Sequence, residues 1–575
     1  MSLFPIPNPP FALDTTHWEA FQARYDQLAA APLDDATLDE WLGAWSQMNK
    51  FVEETGAVAH IEKTLDTADE TAEQAFLNFI ENVEPGFRRA DQVLKQRLLA
   101  QAADDAALGE AMRVPLRGMR NQADLFREAN VPLMTELAKL GNEYDKITGG
   151  MKADWAGEER NLSQLNALLR DRDRATRERA WRQMMALWAE KRAELNDVYA
   201  RMLALRRQVA ANAGLSNYRD YTFRAYNRFD YTPDDCFRFH DAIEAAVVPA
   251  AARVYERRRA QLGLDRLQPW DLAVDPFDAP PLAPYHGQDE LIQGSLNIFE
   301  RVDPGLARQF ATMAEENLLD LDTRAGKALG GYCSSLVWRQ RPFIFMNGVG
   351  SHDDVQTMLH EAGHAFHAFE SFPLPYIWQQ DAPMEFCEVA SMGMELLSAP
   401  YLTRADGGFY TPAEAARARI EHLSGILTFL PYMAVVDAFQ HWVYTHVDEA
   451  ADAAACDAAW DALWARFMPG VEWAGFEAER MTGWHRKLHI FHIPFYYIEY
   501  GLAQVGALQV WRNALRDQRQ AVATYRSALK LGGTRSLPGL YEAAGAEFRF
   551  DAPMLTDLVA LIEATVAELE PLTEK

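Results

Sequence analysis

Cysteine is scarce: four residues in 575, at positions 236, 333, 387 and 456, with no CxxC pair. That density makes no disulfide framework, and free thiols point to a reducing compartment. Basic residues are in deficit as well, 56 Lys and Arg against 83 Asp and Glu, for a formal net charge of −27. Such a chain repels polyanions unless it carries a strong basic stripe, so nucleic acid is not expected as a partner. The best stripe is Arg170, Arg172, Arg174, Arg177, Arg179 and Arg182, interleaved with Asp171, Asp173 and Glu178. It reads as a solvated helix face. Long apolar runs are missing too. The longest, LSGILTFLPYMAVV at 423–436, is too short to span a bilayer and holds Pro431. The opening MSLFPIPNPPFALD has no basic n-region, and the first Lys or Arg is Arg24. Neither a secretory signal nor a membrane partner is expected, and the expected location is the cytoplasm.

What remains is ordinary globular material, 49% hydrophobic and 24% charged, in a chain long enough to bury a large core. The first half reads as successive helices. In TLDEWLGAWSQM, Leu38, Trp41, Leu42, Trp45 and Met48 recur at three- and four-residue steps and share one face. Residues 162–213 are rich in good helix formers. They read as two long helices broken near 171–174 and stopped by Gly214. Two segments depart from this texture. Residues 265–287 hold five prolines together with Trp270, Phe277 and Tyr285, which suggests an extended but ordered connection. Residues 332–338 and 343–346 are short β-type runs, a small hairpin or edge pair. Pro342 at the head of the second run predicts an edge strand. Helix resumes at Ser351, with Ser351, Asp353 and Asp354 suited to its start.

The segment that carries chemistry is MLHEAGHAFHAF at 358–369, containing His360-Glu361-Ala362-Gly363-His364. On a helix the two histidines lie one turn apart and can reach one metal. Glu361 lies about 100° round from His360 and about 60° from His364, beside the metal without ligating it. That is the place of a general base for a metal-activated water. HExxH alone is a weak signal in a chain with 14 histidines, the plain alternative being incidental surface residues. His367 shares the face, but about 10 Å of rise separates it from His360, so those two cannot hold one ion. It reads as a cleft residue or a packed histidine.

A zinc site with two histidines needs a third protein ligand. The downstream helix PMEFCEVASMGMELLSAP at 383–400 offers Glu385, Glu388 and Glu395, and spacing alone does not choose among them. Farther on, HIFHIPFYYIEYGLAQVGALQVW at 489–511 concentrates His489, His492, Tyr496, Tyr497 and Tyr500. Phenol or imidazole donors there would stabilise the oxyanion formed in amide hydrolysis. The plain alternative is an aromatic core stripe.

HEAGHAFH, then EFCEVASMGMEL, then HIFHIPFYYIEYG together resemble the thimet oligopeptidase and oligoendopeptidase F family of zinc metallopeptidases, nearest its bacterial oligoendopeptidase F branch. GLSNYRDYTFRAYNRFDYTPDDC at 214–236 looks like that family's entry into the catalytic region. The resemblance implies a mainly α fold, two helical lobes enclosing a deep channel that admits short peptides, with a small β-hairpin or sheet near the zinc. It implies one Zn2+ per chain held by His360, His364 and Glu388, the Glu of EVAS. Glu361 is then the base. The family's tyrosines map onto Tyr497 and Tyr500, and its histidine onto His489 in preference to His492. HIFHIPF stands where the thimet branch has a glycine-rich loop. Glu395 would orient a ligand histidine, and residues 343–347 would offer a strand edge to the substrate.

We therefore divide the chain into an N-terminal helical region, 1–195, and a catalytic region, 196–575, with its zinc core at about 330–511. The expected activity is endopeptidase cleavage of short oligopeptides. A dipeptidyl carboxypeptidase or carboxypeptidase on the same scaffold is the rival within the class. An inactive helical peptide-binding scaffold is the rival outside it, which a missing base or ligand would have favoured.

Overall fold

The computed structural model describes residues 17–101, 108–277, 279–324, 326–328 and 330–573. The opening stretch read above for a signal lies outside the described residues. Helices make up 72% of the protein. Helix Leu38–Leu65 buries Trp41, Leu42, Trp45 and Met48 as its periodicity predicts. They join Phe21, Tyr25, Phe51 and Leu116 in a core distinct from the larger core of the rest of the chain. Trp45 packs on Trp378 at 4.2 Å. Glu54 of the same helix is fully buried, bonds Arg339 at 2.6 Å and accepts the Trp338 and Arg339 N–H groups. The N-terminal helices thus brace the turn beside the site.

Residues 162–213 break before Arg174 as expected, but only the segment after the break is a long helix. Only Leu162–Ala167 and a 3-10 turn precede the 39-residue helix Arg174–Asn212, whose start is capped by the Asp173 carboxylate. Gly214 follows at φ +77, a conformation that favours glycine. The arginine stripe is not simply solvated. Arg177 is buried, donates to Asp271 at 2.9 Å and also bonds the Trp270 carbonyl. Arg174 forks onto the same carboxylate, and Arg170 reaches Asp353. These contacts pin the proline-rich connection, which is ordered over its described residues and buries Trp270 and Tyr285. Position 278 lies outside them.

A short hairpin pairs β1 (Lys152–Trp155) with β2 (Glu158–Asn161). The second sheet contains β3 (Leu319–Asp322), β4 (Tyr332–Leu336) and β5 (Arg341–Gly348) in the order β3-β5-β4. β4 runs antiparallel to β5 and β3 parallel to it. This corrects the expectation that 343–347 lies at an edge: β5 is the central strand, and β3 and β4 are the edges. Pro342 is tolerated because it stands near the start of β5. The periodicity of LDLD was too short to reveal the third strand.

Helix Pro412–Thr445 continues past Pro431 and is by length and composition able to cross a membrane, with a mean hydropathy of 1.3 over its most apolar window. In the fold, 61% of that window is buried. The apolar run at 423–436 is therefore part of a longer helix than its length suggested, and it serves as a core element.

Candidate active site

Helix His352–Ser371 carries the HExxH residues. Its start is fixed by a capping box, in which Ser351 N–H donates to Asp354 Oδ2 at 2.7 Å and Asp354 N–H to Ser351 Oγ at 3.3 Å. Tyr285 Oη donates to the same carboxylate at 2.9 Å. One turn apart, the His360 and His364 rings stand with centroids 4.9 Å apart.

Helix Met384–Ser398 lies directly against this one, and Gly363 is the reason it can. A Cβ there would sit 2.5 Å from Ser391 Cα and 2.7 Å from the Ala390 carbonyl. The close approach brings Glu388 Oε2 to 3.4 Å from His360 Nε2 and 3.7 Å from His364 Nε2. One ligand atom from each of the three residues falls within 4.8 Å of the other two. Ser391 Oγ donates to Glu388 Oε2 at 3.0 Å and holds its rotamer.

The acids that spacing could not rank are separated by their partners. Glu385 accepts from Tyr231 Oη at 2.7 Å and faces the buried Arg228 at 3.8 Å. Glu395 accepts from His360 Nδ1 at 2.7 Å and lies 2.9 Å from His422 Nε2. With Nδ1 donating to Glu395, His360 turns its Nε2 toward the cluster; burial alone would lower its ring, but the bonds to Glu388 and Glu395 raise it well above the ordinary imidazole value until a cation displaces the Nε2 proton. Burial alone would raise the Glu395 carboxyl, but its bonds to His360 and His422 outweigh that and take it down to about 2. His422 was not anticipated; it comes from helix Pro412–Thr445, far from the motif in sequence.

Two imidazoles and a carboxylate, one imidazole anchored from behind by a second carboxylate, form the donor set of a divalent zinc-type site. The residues present therefore fit the metal the resemblance implies. Burial lowers His364 to about 4, so it is a neutral donor at neutral pH.

Glu361 is buried beside these groups, and burial raises it to about 7, with the Glu388 charge adding to the effect and His360 opposing it. The Cys333 backbone of β4 lies beside it, and this edge strand packs against the HExxH helix. His367 is buried against Phe386, lowered by burial to about 3, and its Nε2 meets no protein partner. It sits among packed side chains.

The tyrosine segment differs from its expected arrangement. Phe495 takes φ +66, its N–H donates to Gln440 Oε1 at 2.8 Å, and its carbonyl accepts from Arg228 at 2.6 Å. This bend sets Tyr496 at the start of helix Tyr497–Ala514 and aims its hydroxyl at Glu388 Oε1, 3.4 Å away. Tyr500 packs on Tyr496 with ring centroids 5.3 Å apart. Burial, then the Glu388 charge, hold both phenols protonated far above neutral pH. Tyr497, the residue onto which the resemblance mapped one donor, is buried among Phe429, Tyr432 and Lys487 instead. Tyr497 also touches Tyr500, with ring centroids 5.7 Å apart, but of the two neighbours it is Tyr496 whose hydroxyl reaches Glu388.

His489 lies among the tyrosines, 4.9 Å from the Tyr497 ring and 6.0 Å from Tyr500, with its Nδ1 unpartnered among protein groups. Burial lowers it to about 4. His492 turns away, bonds Asp145 at 2.9 Å and lies against Gly141.

Comparison with known proteins places the chain in a family. Residues 167–559 match the model for Peptidase family M3, and residues 10–126 match that for the Peptidase M3 N-terminal domain. Oligopeptidase PepF of Bacillus subtilis is 23% identical over 340 residues, covering 57% of this chain and 48% of that protein. The Oligoendopeptidase F homolog of Mycoplasma pneumoniae is 24% identical over 323 residues, covering 52% and 51%. The chain thus aligns with about half the length of these curated relatives. A solved structure of Pz peptidase A with an inhibitor superposes with a TM-score of 0.88 at 27% identity, covering 98% of this chain and 99% of that one. By the family match over most of its length, the chain belongs to peptidase family M3.

Proposed function

We propose that the protein is a zinc-dependent endopeptidase that hydrolyses internal peptide bonds of short oligopeptides in the cytoplasm. The observation that carries the reading is the convergence of His360 Nε2, His364 Nε2 and Glu388 Oε2, with Glu361 beside them and outside the ligand set. The names of the relatives, an oligopeptidase and an oligoendopeptidase F homolog, support the substrate class.

Zinc held by His360, His364 and Glu388 would supply Lewis acidity, making a water nucleophilic and polarising the scissile carbonyl. The chain's own residues do the rest. Glu361 takes the proton of the attacking water and hands it to the leaving amine. Its buried setting keeps the carboxyl close enough to neutrality to do both. Tyr496 and Tyr500, locked as protonated donors, stabilise the oxyanion. His489 stands behind them and helps fix the phenol positions. An extended peptide laid along the β4 edge would present its backbone to the Cys333 region beside Glu361.

The test is zinc content of protein purified without chelator, paired with cleavage of a quenched peptide blocked at both ends. A peptide under about twenty residues could thread extended into a cleft. One zinc at the HExxH site and cleavage of the blocked peptide are expected. Cleavage only of peptides with a free carboxyl terminus would replace the endopeptidase reading with an exopeptidase one. Undiminished cleavage after complete metal removal would end the metallopeptidase reading.

A further inference from the structure

A second group of ligand-type side chains lies outside the candidate active site. Helix Pro233–Ala246 presents Cys236 and His240 one turn apart, and helix Pro412–Thr445 presents Asp437 and His441 one turn apart. All four are buried, at 2%, 1%, 0% and 1% exposure. His240 Nε2 is 2.9 Å from Asp437 Oδ2, and His441 Nε2 is 3.2 Å from the same oxygen. Cys236 Sγ, an Asp437 oxygen and a His441 nitrogen fall within 4.8 Å of one another.

The hydrogen bonds present leave this group unfinished. Asp437 Oδ1 and both ring nitrogens of His441 meet no hydrogen-bond partner among protein groups. Phe495 lies 5.1 Å and Phe237 4.8 Å from the His441 ring, and Phe467 lies 6.3 Å from His240. An apolar wall around unpaired polar atoms is costly, because each loses its hydrogen bonds to water without replacement.

We propose that Cys236, His240, Asp437 and His441 bind one structural divalent cation of the zinc class. Cys236, Asp437 and His441 supply three donors as they stand, and His240, bonded to Asp437 Oδ2 outside that group, completes a closed four-donor site by turning its ring toward the ion. The charges balance, because a dication meets one thiolate and one carboxylate and leaves no net charge buried. Binding releases the Cys236 thiol proton to solvent, which makes uptake pH-dependent. The ion would tie helix Pro233–Ala246 to helix Pro412–Thr445 and wall off Phe495, the residue whose backbone sets Tyr496. The metal-free alternative is the His240–Asp437 hydrogen bond with His441 and a neutral thiol packed beside it.

The site is separable from the HExxH cluster, which contains no cysteine. The His364→Ala, Glu388→Gln double variant, expressed in zinc-poor medium supplemented with cobalt, isolates it. We expect one cobalt per chain and a thiolate-to-cobalt charge-transfer band in that variant, against two cobalt ions and the same band in the otherwise unaltered chain. Adding Cys236→Ala should abolish the band and the remaining ion. A double variant that folds with no cobalt and no band overturns the proposal, even if the HExxH site binds as expected. A band that survives Cys236→Ala overturns it too, because the thiolate is then another cysteine. Should the Cys236 variant fail to fold, the double variant alone decides by its band and stoichiometry.

Discussion

Glu395 accepts a hydrogen bond from His360 Nδ1 at 2.7 Å while holding His422 at 2.9 Å with its other oxygen. One carboxylate thus joins the HExxH helix, the Glu388 helix and helix Pro412–Thr445, and sets which nitrogen of His360 is free to donate. Glu395→Gln keeps the shape and loses the charge. It should weaken zinc about 10- to 100-fold, as for other partners of ligand histidines. Competition with a chromogenic chelator measures it. Zinc affinity equal to that of the unaltered protein would show that His360 needs no such anchor.

Gly363 is the contact that lets the two ligand-bearing helices touch. Gly363→Ala places a methyl group 2.5 Å from Ser391 Cα, where backbone cannot yield as a flexible side chain would. The expected cost is about 1–3 kcal/mol of stability, together with weaker zinc as Glu388 is levered away. Denaturant unfolding and chelator competition on one preparation check both effects.

Glu388 and Glu385 should part company. Glu388→Gln removes a carboxylate ligand and should empty the zinc site. Glu385→Gln should leave zinc bound and lower stability, because Arg228 and Tyr231 lose a buried partner. Metal analysis beside thermal unfolding distinguishes the pair.

Tyr496→Phe and Tyr500→Phe should keep zinc and reduce turnover about 10²- to 10³-fold each, the effect of removing one oxyanion donor. Tyr497→Phe should stay close to normal, since its ring is packed away from Glu388. The three variants assayed on one blocked peptide settle which phenols act. A large loss confined to Tyr497→Phe would contradict the geometry.

The parts of the site that were legible in sequence are those whose geometry is local. His360, Glu361 and His364 are fixed by helical period alone, and the Ser351 start by its capping residues. The choice of Glu388 rested on family resemblance, because Glu385 and Glu395 have suitable spacing too, and their distinguishing partners, Tyr231 and His422, are remote. Tyr496 was hidden by one residue's backbone. The positive φ of Phe495 turns the helix start so that its neighbour, not Tyr497, faces the ligands. Arg177 looked solvated because its partner Asp271 is 94 residues away. β3 was invisible because four residues of alternating Leu and Asp make no strong pattern, yet it moves β5 from the edge of the sheet to its centre. The Cys236, His240, Asp437 and His441 group was unreadable for the same reason: each helix shows only an ordinary one-turn pair, and the meeting of the two is tertiary.

The most direct test of the proposed mechanism is zinc content and turnover measured together on Glu361→Gln. Glu361 stands beside the ligands and outside them, so the variant should keep its HExxH-site zinc and its fold. Its turnover on a blocked peptide should fall by at least about 10²- to 10⁴-fold for loss of the general base. Near-normal turnover with zinc bound would contradict the account, and so would loss of the zinc along with the activity, because Glu361 would then be a ligand rather than the base.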